Sequence, residues 1–271
     1  MVDKQREQLG RGLFPALLKH WRHSRGLSQL DLALAADVSS RHISFLETGR
    51  STPSPEMVLV LGNTLGVPLR HIDEMLTAAG HDAIYDSEDE GLPESVQIAL
   101  DLLASHHEPY PLIAIDRLYN VVTTNSGADL LFDVLFADSP VDRSNLARLT
   151  FDPEGAHHYI VNFAEVGRDL LWRIQREILA SPDDGDLRDL LDELLAMPTV
   201  GSEWREVDLS APSEPTLVVH VKKDDVEARF ISTATTFAAP QNSRVDGLYI
   251  ETWFPADEPT RQLFELFTGA A

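Results

Sequence analysis

The chain of 271 residues is long enough for two ordinary domains, each with its own core. It contains no cysteine, which excludes disulfides, thiolate zinc sites and cysteine nucleophiles. The formal net charge of −22 argues against DNA binding by the whole chain, but the charge is unevenly distributed. Residues 1–80 hold nine basic and eight acidic side chains, a net charge of +1. Residues 81–271 hold thirteen and thirty-six, a net charge of −23, so only the first part can approach phosphate without repulsion.

The first residues are polar and lack the apolar core of a signal peptide. No apolar run in the sequence is long enough to span a membrane. We therefore expect a cytoplasmic protein that does not bind a membrane.

Residues 1–80 are predicted to form an all-α domain of five short helices. Leu13, Leu17 and Trp21 recur at helical spacing and share one face of the first helix, and Phe14 and Leu18 lie beside them. The stretch Ser28–Asp31 is a capping-box pattern that opens the second helix.

The remaining helices of this domain are also marked by their end residues. Asp37 stands where a tight turn often needs a left-handed residue, and Ser39 can cap a third helix that ends near Thr48. Pro55 and Pro68 are typical of the first turns of two further helices, 55–65 and 68–79.

Residues 81–106 are predicted to be a linker and a connecting helix, and residues 107–271 a second domain. The stretch from 81 to about 92 is acidic and polar, and a helix follows from Pro93 to Ser105. Strand patterns then flank a helical middle, which predicts an α+β domain with a small antiparallel sheet. The strand patterns cover 112–124, 216–221, 226–237 and 248–254, and the helical ones 125–136, 160–180, 187–196 and 259–267.

The stretch Ser28–Arg50, SQLDLALAADVSSRHISFLETGR, resembles the helix-turn-helix of the XRE/Cro/C1-type repressors. The resemblance covers residues 12–80 and implies that the third helix enters the major groove of double-stranded DNA. Asp37 departs from the glycine that is common at the turn of this family. The residues expected to contact DNA are Gln29, Ser39, Ser40, Arg41, Ser44, Phe45 and Arg50.

These residues have different expected roles. Arg41 can read a guanine through two hydrogen bonds, and Phe45 can touch a thymine methyl group. Gln29 and Arg50 are candidates for phosphate contacts. Two alternatives stay open: Phe45 could complete the core instead, and Arg41 could be an ordinary solvated charge. In similar repressors the acid at Glu47 pairs with a basic residue of the first helix, which Arg22 matches, so these two are expected to form a structural ion pair.

The second half resembles the MmyB-like regulator domain over roughly 107–268. The matching stretches are Leu112–Arg117, Asn120–Asn125, Asn145–Leu149, Asn162–Val166, Leu191–Leu194, Trp204, Ile231–Thr233, Phe237, Pro240–Gln241 and Glu251–Asp257. The resemblance implies a PAS-like ligand-binding domain in a regulator of transcription. Families of this kind bind small, often apolar effectors, fatty acids among them.

Several side chains are candidates for binding such an effector. An apolar cavity between a small sheet and amphipathic helices needs aromatic and aliphatic walls, and a carboxylate head group needs a donor. Each aromatic side chain could equally be ordinary core. The predicted ligand-binding residues are Asn125, Phe132, Phe136, His157, Phe163, Arg168, Trp172, Arg229 and Phe237, with Arg148 as a further candidate donor.

Other function classes find little support. The sequence has no Gly-x-Ser-x-Gly, no His-Glu-x-x-His and no Gly-rich phosphate loop, so we expect no enzyme. The histidine pairs 106–107 and 157–158 are adjacent and lack the i, i+4 spacing of helical metal ligands, so neither a metal nor a cofactor is expected beyond a bound apolar effector. Self-cleavage at Ala79-Gly80 by a Ser–Lys pair is not expected either, because the later lysines of the sequence, at 222 and 223, are far from this position.

The sequence thus predicts a sequence-specific transcription regulator that binds double-stranded DNA as a homodimer and responds to a small, apolar, fatty-acid-like effector. The alternative is an antitoxin-like or scaffold protein, whose acidic second half binds a protein partner.

Overall fold

The computed structural model describes residues 2–85, 91–138, 141–180, 184–205, 216–237 and 242–268. In chain order, its helices are α1 (Val2–Ser24), α2 (Gln29–Ala35), α3 (Ser40–Glu47), α4 (Pro55–Leu65), α5 (Leu69–Ala78), α6 (Glu94–His107), α7 (Ser126–Leu135), α8 (Leu146–Phe151), α9 (Phe163–Ala180), α10 (Gly185–Ala196), α11 (Ser243–Asp246) and α12 (Glu258–Thr268). The strands are β1 (Leu112–Ile115), β2 (Val121–Thr124), β3 (Leu217–Lys223), β4 (Val226–Thr235) and β5 (Tyr249–Pro255).

The chain forms two compact units. The N-terminal unit consists of Met1–Gly91 together with Ala239–Asp246, and the C-terminal unit of Leu92–Ala238 together with Gly247–Ala271. The first unit is helical and the second combines an antiparallel sheet with helices. The predicted α+β class is therefore confirmed, whereas the compact units differ from the predicted domain ranges.

The short helices of the N-terminal unit begin where the sequence supplies caps. The Ser28 hydroxyl accepts from the Asp31 amide at 3.1 Å, and the Asp31 carboxylate accepts from the Ser28 amide at 3.0 Å. Ser39 caps α3 in the same manner through the His42 amide. Asp37 has a φ of 54°, the left-handed conformation that the turn between these helices requires.

The apolar face of α1 is buried except at Leu13. Phe14, Leu18 and Trp21 are buried and Leu17 packs beside them, whereas Leu13 is 53% exposed. The buried residues are spaced i, i+4 and i+7, so the stripe centres on Phe14 and Leu18 and leaves Leu13 at its edge. Together with Leu32, Ala33, Ile43, Leu46, Val58, Leu61, Ile72, Met75 and Leu76 they form the core of this unit.

Two segments outside the predicted first domain belong to this unit. The buried Asp73 carboxylate accepts from the amides of Ile84 and Tyr85, which fixes the beginning of the predicted linker to α5. Helix α11 also packs on α5, where the Asp246 carboxylate accepts from the Leu69 amide at 3.2 Å. Because Pro68 at the start of α5 provides no side-chain cap, Asp246 supplies the acceptor that the helix end needs.

The C-terminal unit contains a five-stranded antiparallel sheet in the order β2-β1-β5-β4-β3. Strand β1 is buried on both faces, because Ile113 and Ile115 join the main core and Leu112 and Ala114 pack in a smaller cluster with Leu100 of α6. The predicted strand region 112–124 is two strands, joined by a turn in which the buried Tyr119 has a φ of 64°.

Some elements differ from the sequence-based expectations. Helix α9 begins at Phe163, and Ile160 instead forms a bridge with Val221 of β3. Helices α8 and α11 were not predicted, since each is shorter than two turns. The main core lies between α7, α8, α9, α10 and one face of the sheet.

Candidate functional sites

Helix α3 presents a polar surface opposite its buried face. Ile43 and Leu46 are fully buried in the N-terminal unit, which turns the rest of the helix outward. Ser39, Ser40 and Arg41 are exposed. These exposed residues lie at the N-terminal end of the helix, where backbone N–H groups and side chains can reach a bound anion.

Two arginine side chains on this surface lie beside the ring of Phe45. The guanidinium of Arg41 lies 5.1 Å from the centroid of the Phe45 ring, and that of Arg50 lies 5.9 Å from it. Phe45 and Ser44 are both half-buried, and Phe45 does not belong to the core of the unit. The alternative in which Phe45 completes the core is thus not what the structure contains, and stacking holds both arginines beside one ring.

Arg22 and Glu47 form a buried, two-pronged ion pair that joins α1 to α3. Arg22 Nε donates to one carboxylate oxygen at 2.6 Å and Nη2 to the other at 3.0 Å. Arg22 Nη1 also donates to the Leu27 carbonyl oxygen at 2.7 Å. Burial disfavours the charged form of Glu47 and by itself would raise its pKa. The hydrogen bonds from Arg22 and Gln29 outweigh this effect, so the pKa of Glu47 lies below its ordinary value.

Gln29 does not point freely toward a phosphate. Its side-chain amide donates to Glu47 Oε2 at 2.8 Å. The same oxygen also accepts from Arg22 Nη2. The predicted contact of Gln29 would therefore need its backbone, or a change of partner.

The C-terminal unit contains a largely apolar, partly open cavity of about 60 Å³. Helices α7, α8 and α9 and strands β3, β4 and β5 contribute to its wall. Its apolar lining residues are Leu131, Phe132, Leu135, Phe136, Leu146, Leu149, Ala156, Ile160, Val166, Leu170, Leu217, Val219 and Val221. A space of this size holds about two water molecules, whereas an engineered cavity that binds benzene measures about 150 Å³.

Of the nine predicted ligand-binding residues, the structure places Phe132 and Phe136 in the cavity wall. Asn125 instead caps α7 and bonds the backbone of Leu112 and Tyr110. The remaining side chains lie outside the lining. His157 contacts the Asp152 carbonyl, Phe163 packs on Trp204, Arg168 bonds the Ala164 carbonyl, Trp172 lies beside Arg176, Arg229 lies near Glu227 and Asp257, and Phe237 joins the smaller cluster. Arg148 pairs with Glu193 on the surface.

Sequence reasoning missed the polar end of the cavity. Arg173 of α9 and Glu251 and Trp253 of β5 line it, together with Ser232 of β4. Arg173 Nη1 donates to Glu251 Oε1 at 2.7 Å. The available signal was Arg173 on the apolar face of a long helix, three residues after Leu170.

Comparison with protein-family models gives one match in each of the two units. A helix-turn-helix model matches residues 18–72, and the model for the MmyB-like transcription regulator ligand binding domain matches residues 96–267. The chain belongs to the MmyB-like transcription regulators. The regulator thus pairs a helix-turn-helix with the ligand binding domain of a family of transcription regulators. These families are not typically enzymes.

Further similarities of this MmyB-like regulator are weak. No curated protein matches it. Among solved structures, that of an RNA-binding Light-Oxygen-Voltage receptor is similar at 12% identity and a TM-score of 0.28, and the match covers 91% of this chain. The regulator spans 64% of that receptor's chain. In the described parts of the regulator, no helix is both long and apolar enough to cross a membrane.

Two charged groups near the cavity of the regulator have displaced pKa values. Burial opposes the charge of Arg173, but Glu251 and Tyr119 outweigh it and raise the pKa of Arg173 above its ordinary value. The Arg173 guanidinium lies 5.4 Å from the centroid of the Tyr119 ring. Burial raises the pKa of Glu177, one turn further along α9, to about 7. Arg173 therefore stays charged near neutral pH, and Glu177 is partly protonated there.

Proposed function

We propose that the regulator binds a specific sequence of double-stranded DNA as a homodimer and that an apolar, fatty-acid-like effector in the cavity controls this binding. The observation that carries the proposal is an apolar cavity lined by helices and sheet inside the domain that matches a ligand-binding family. The effector must favour one DNA-binding state over the other, because equal affinity for both would shift nothing.

The cavity supports an apolar occupant in particular. Aliphatic and aromatic side chains form most of its wall, so an acyl chain would replace few hydrogen bonds on binding. A chain of several carbons does not fit in 60 Å³, so Phe132 and Phe136 would have to rotate outward to enlarge the space. The centroids of the two rings lie 6.3 Å apart in the cavity wall, so rotation of both would enlarge the same part of the space.

The DNA side of the proposal depends on the outer surface of α3. The residues that would lie against the duplex are Ser39, Ser40, Ser44 and the stacked Arg41, Phe45 and Arg50. Gln29 would contact the phosphate backbone of the DNA. A dimer would place two copies of α3 in successive major grooves about 34 Å apart. The strongly acidic residues 81–271 would repel phosphate and leave α3 as the docking face.

The first test asks whether the cavity is the effector site. Native mass spectrometry of gently purified protein identifies a bound apolar molecule, which is then added back in a DNA-binding assay. Val219 of β3 faces the cavity, so Val219→Phe should fill it and abolish the response of DNA affinity to that molecule.

The matched control lies next to it on the same strand. Val218 points to the opposite face and is 37% exposed, so Val218→Phe adds the same ring outside the cavity and should keep the wild-type response. A Val219→Phe protein that responds like the wild type would overturn the cavity as effector site.

A further inference from the structure

Helix α6 has apolar side chains on two opposite sides, and only one of these sides is buried. Leu100 is 3% exposed and lies in the smaller cluster of the C-terminal unit, where Val96 and Ala104 pack beside it. On the opposite side of the helix, Ile98 is 53% exposed and Leu102 is 54% exposed. A helix that is apolar on opposite sides is normally buried on both, so the exposed side of α6 calls for a partner.

The outer face of α6 consists of six exposed side chains: Glu94, Ser95, Ile98, Leu102, Ser105 and His106. Successive residues of a helix are rotated by about 100°, which places all six within about 60° of the direction opposite Leu100. From Ser95 to Ser105, the serines and aliphatic residues are alternately three and four positions apart. This is the spacing of the seam along which two helices pack together.

The outer face is self-complementary for an antiparallel copy of the same helix. Its members form three pairs that are equidistant from Leu100 along the helix: Ile98 with Leu102, Ser95 with Ser105 and Glu94 with His106. A second copy of α6, antiparallel and related by a twofold axis at the level of Leu100, brings each residue level with its counterpart. The aliphatic side chains then meet in the middle of the contact, and the small serines let the two helices approach closely on both sides of it.

The charges of the outer face also fit an antiparallel copy. Glu94 lies in the first turn of α6 and His106 in the last, so that each complements the helix dipole at its end. His106 Nδ1 donates to the Leu102 carbonyl oxygen at 2.8 Å, which holds the ring at this end of the helix. Antiparallel helices bring the acidic end of one copy to the histidine end of the other, whereas parallel helices would bring like ends together. The outer face contains a single acid, so two chains whose residues 81–271 carry a net charge of −23 can meet here with little repulsion.

We propose that the outer face of α6 is the contact between two copies of the regulator, which pair antiparallel through Ile98 and Leu102. This inference rests on the proposed function, because it names the interface of the proposed homodimer. A single pair of short helices is smaller than a standard protein interface, so the dimer should dissociate on dilution.

Analytical ultracentrifugation of the full chain over about a hundredfold range of concentration measures the dissociation constant of the dimer. Leu102→Glu places a carboxylate in the middle of the contact in both copies, so this constant should rise at least about tenfold. Leu266→Glu is the matched control, because Leu266 is 70% exposed on α12, and this variant should dimerise like the wild type. An unchanged constant in Leu102→Glu would overturn the α6 contact and leave the homodimer in place. A wild-type protein that stays monomeric throughout would overturn both.

An exchange of charges tests the direction of the pair. In an antiparallel pair, His106→Glu brings two acids level at each end and should weaken dimerisation about two- to fivefold at low salt. Adding Glu94→Arg restores opposite charges at both ends and should recover the wild-type constant. In a parallel pair the same double variant would keep like charges side by side. A double variant that dimerises no better than His106→Glu alone would therefore overturn the antiparallel arrangement.

Discussion

Each unit contains an arginine–glutamate pair in which the glutamate side chain is buried, and the two pairs are built differently. In the N-terminal unit, Arg22 donates two hydrogen bonds to Glu47 and a third to the Leu27 carbonyl. Gln29 donates a further hydrogen bond to Glu47. In the C-terminal unit, Arg173 makes one bond to Glu251 and leaves a buried Nε without an acceptor beside a cavity.

The difference lies in how completely the protein's own groups satisfy each pair. A fully satisfied polar network fixes one geometry, and any change in it is costly. Each guanidinium nitrogen of Arg22 donates to an acceptor, whereas the Arg173–Glu251 pair leaves Arg173 Nε without an acceptor among the described residues. We therefore expect the first pair to be the more costly to break.

The largest effect should come from breaking the satisfied pair. Glu47→Ala leaves the Arg22 charge buried and unpaired, which should destabilise the N-terminal unit by about 3–5 kcal/mol. Hydrogen exchange of amides in α2 and α3 measures this loss. Glu56→Ala on the exposed surface of α4 is the control and should have a much smaller effect. Comparable protection in the two variants would contradict the structural role of the pair.

Removing the charge from the incomplete pair should cost less. Glu251→Gln keeps an acceptor for Arg173 Nη1 but removes the negative charge beside it, so we expect a loss of about 1–3 kcal/mol in the C-terminal unit. Denaturant unfolding measures this loss. Unchanged stability of the variant would show that the charge of Glu251 contributes little to the pair.

The DNA surface provides the third test. Arg41→Ala should reduce affinity for the specific site by about 1–3 kcal/mol and affect random DNA less. Arg50→Ala should weaken binding to both and reduce the salt slope by about 1. Titrations of operator and random duplexes at several salt concentrations distinguish these results. Equal losses on both duplexes for Arg41→Ala would remove its base-reading role.

A smaller loss is expected at the distant cap of α5. Asp246→Ala removes the acceptor for the Leu69 amide and should destabilise the N-terminal unit by about 1 kcal/mol. Asp246→Asn keeps an acceptor oxygen and should restore most of this loss. Thermal unfolding of the full chain compares the two, and equal stability of the alanine and asparagine variants would show that the cap contributes little.

The pH dependence of the two units should have opposite signs. The pKa of Glu47 is lowered in the folded state, so its contribution to stability is present above about pH 4.5 and is lost as the pH falls through the folded pKa. The pKa of Glu177 is raised from 4.5 to about 7, so its contribution is present below pH 4.5 and is lost as the pH rises through 7.

We expect the Glu177 effect to be small, because this side chain is partly accessible and solvent screens its charge. Glu177→Gln should remove the decline in C-terminal stability between about pH 4.5 and 7. Hydrogen exchange as a function of pH resolves the units separately. A slope that persists in this variant would assign the titration to another group.

Local chemistry was predictable from the sequence, whereas contacts between distant segments were not. The Ser28 and Ser39 caps and the left-handed Asp37 depend on neighbours within a few residues, and the structure contains all three. The polar end of the cavity joins Arg173 to Glu251 across 78 positions, and no local pattern shows that pairing. Helix α11 was missed for the same reason, since a helix this short depends on contacts with distant segments, such as its packing on α5 and the hydrogen bond from Ser243 to the Tyr85 carbonyl.

The segment Ala239–Asp246 also affects how the molecule can be taken apart. Because the helical unit is assembled from two separate stretches of sequence, cutting the chain after Gly91 would strip it of the buried Val245 and of the Asp246 cap. A fragment that ends in the acidic stretch would therefore lack part of the core and one helix cap of this unit, so a complete helical unit requires both stretches of sequence.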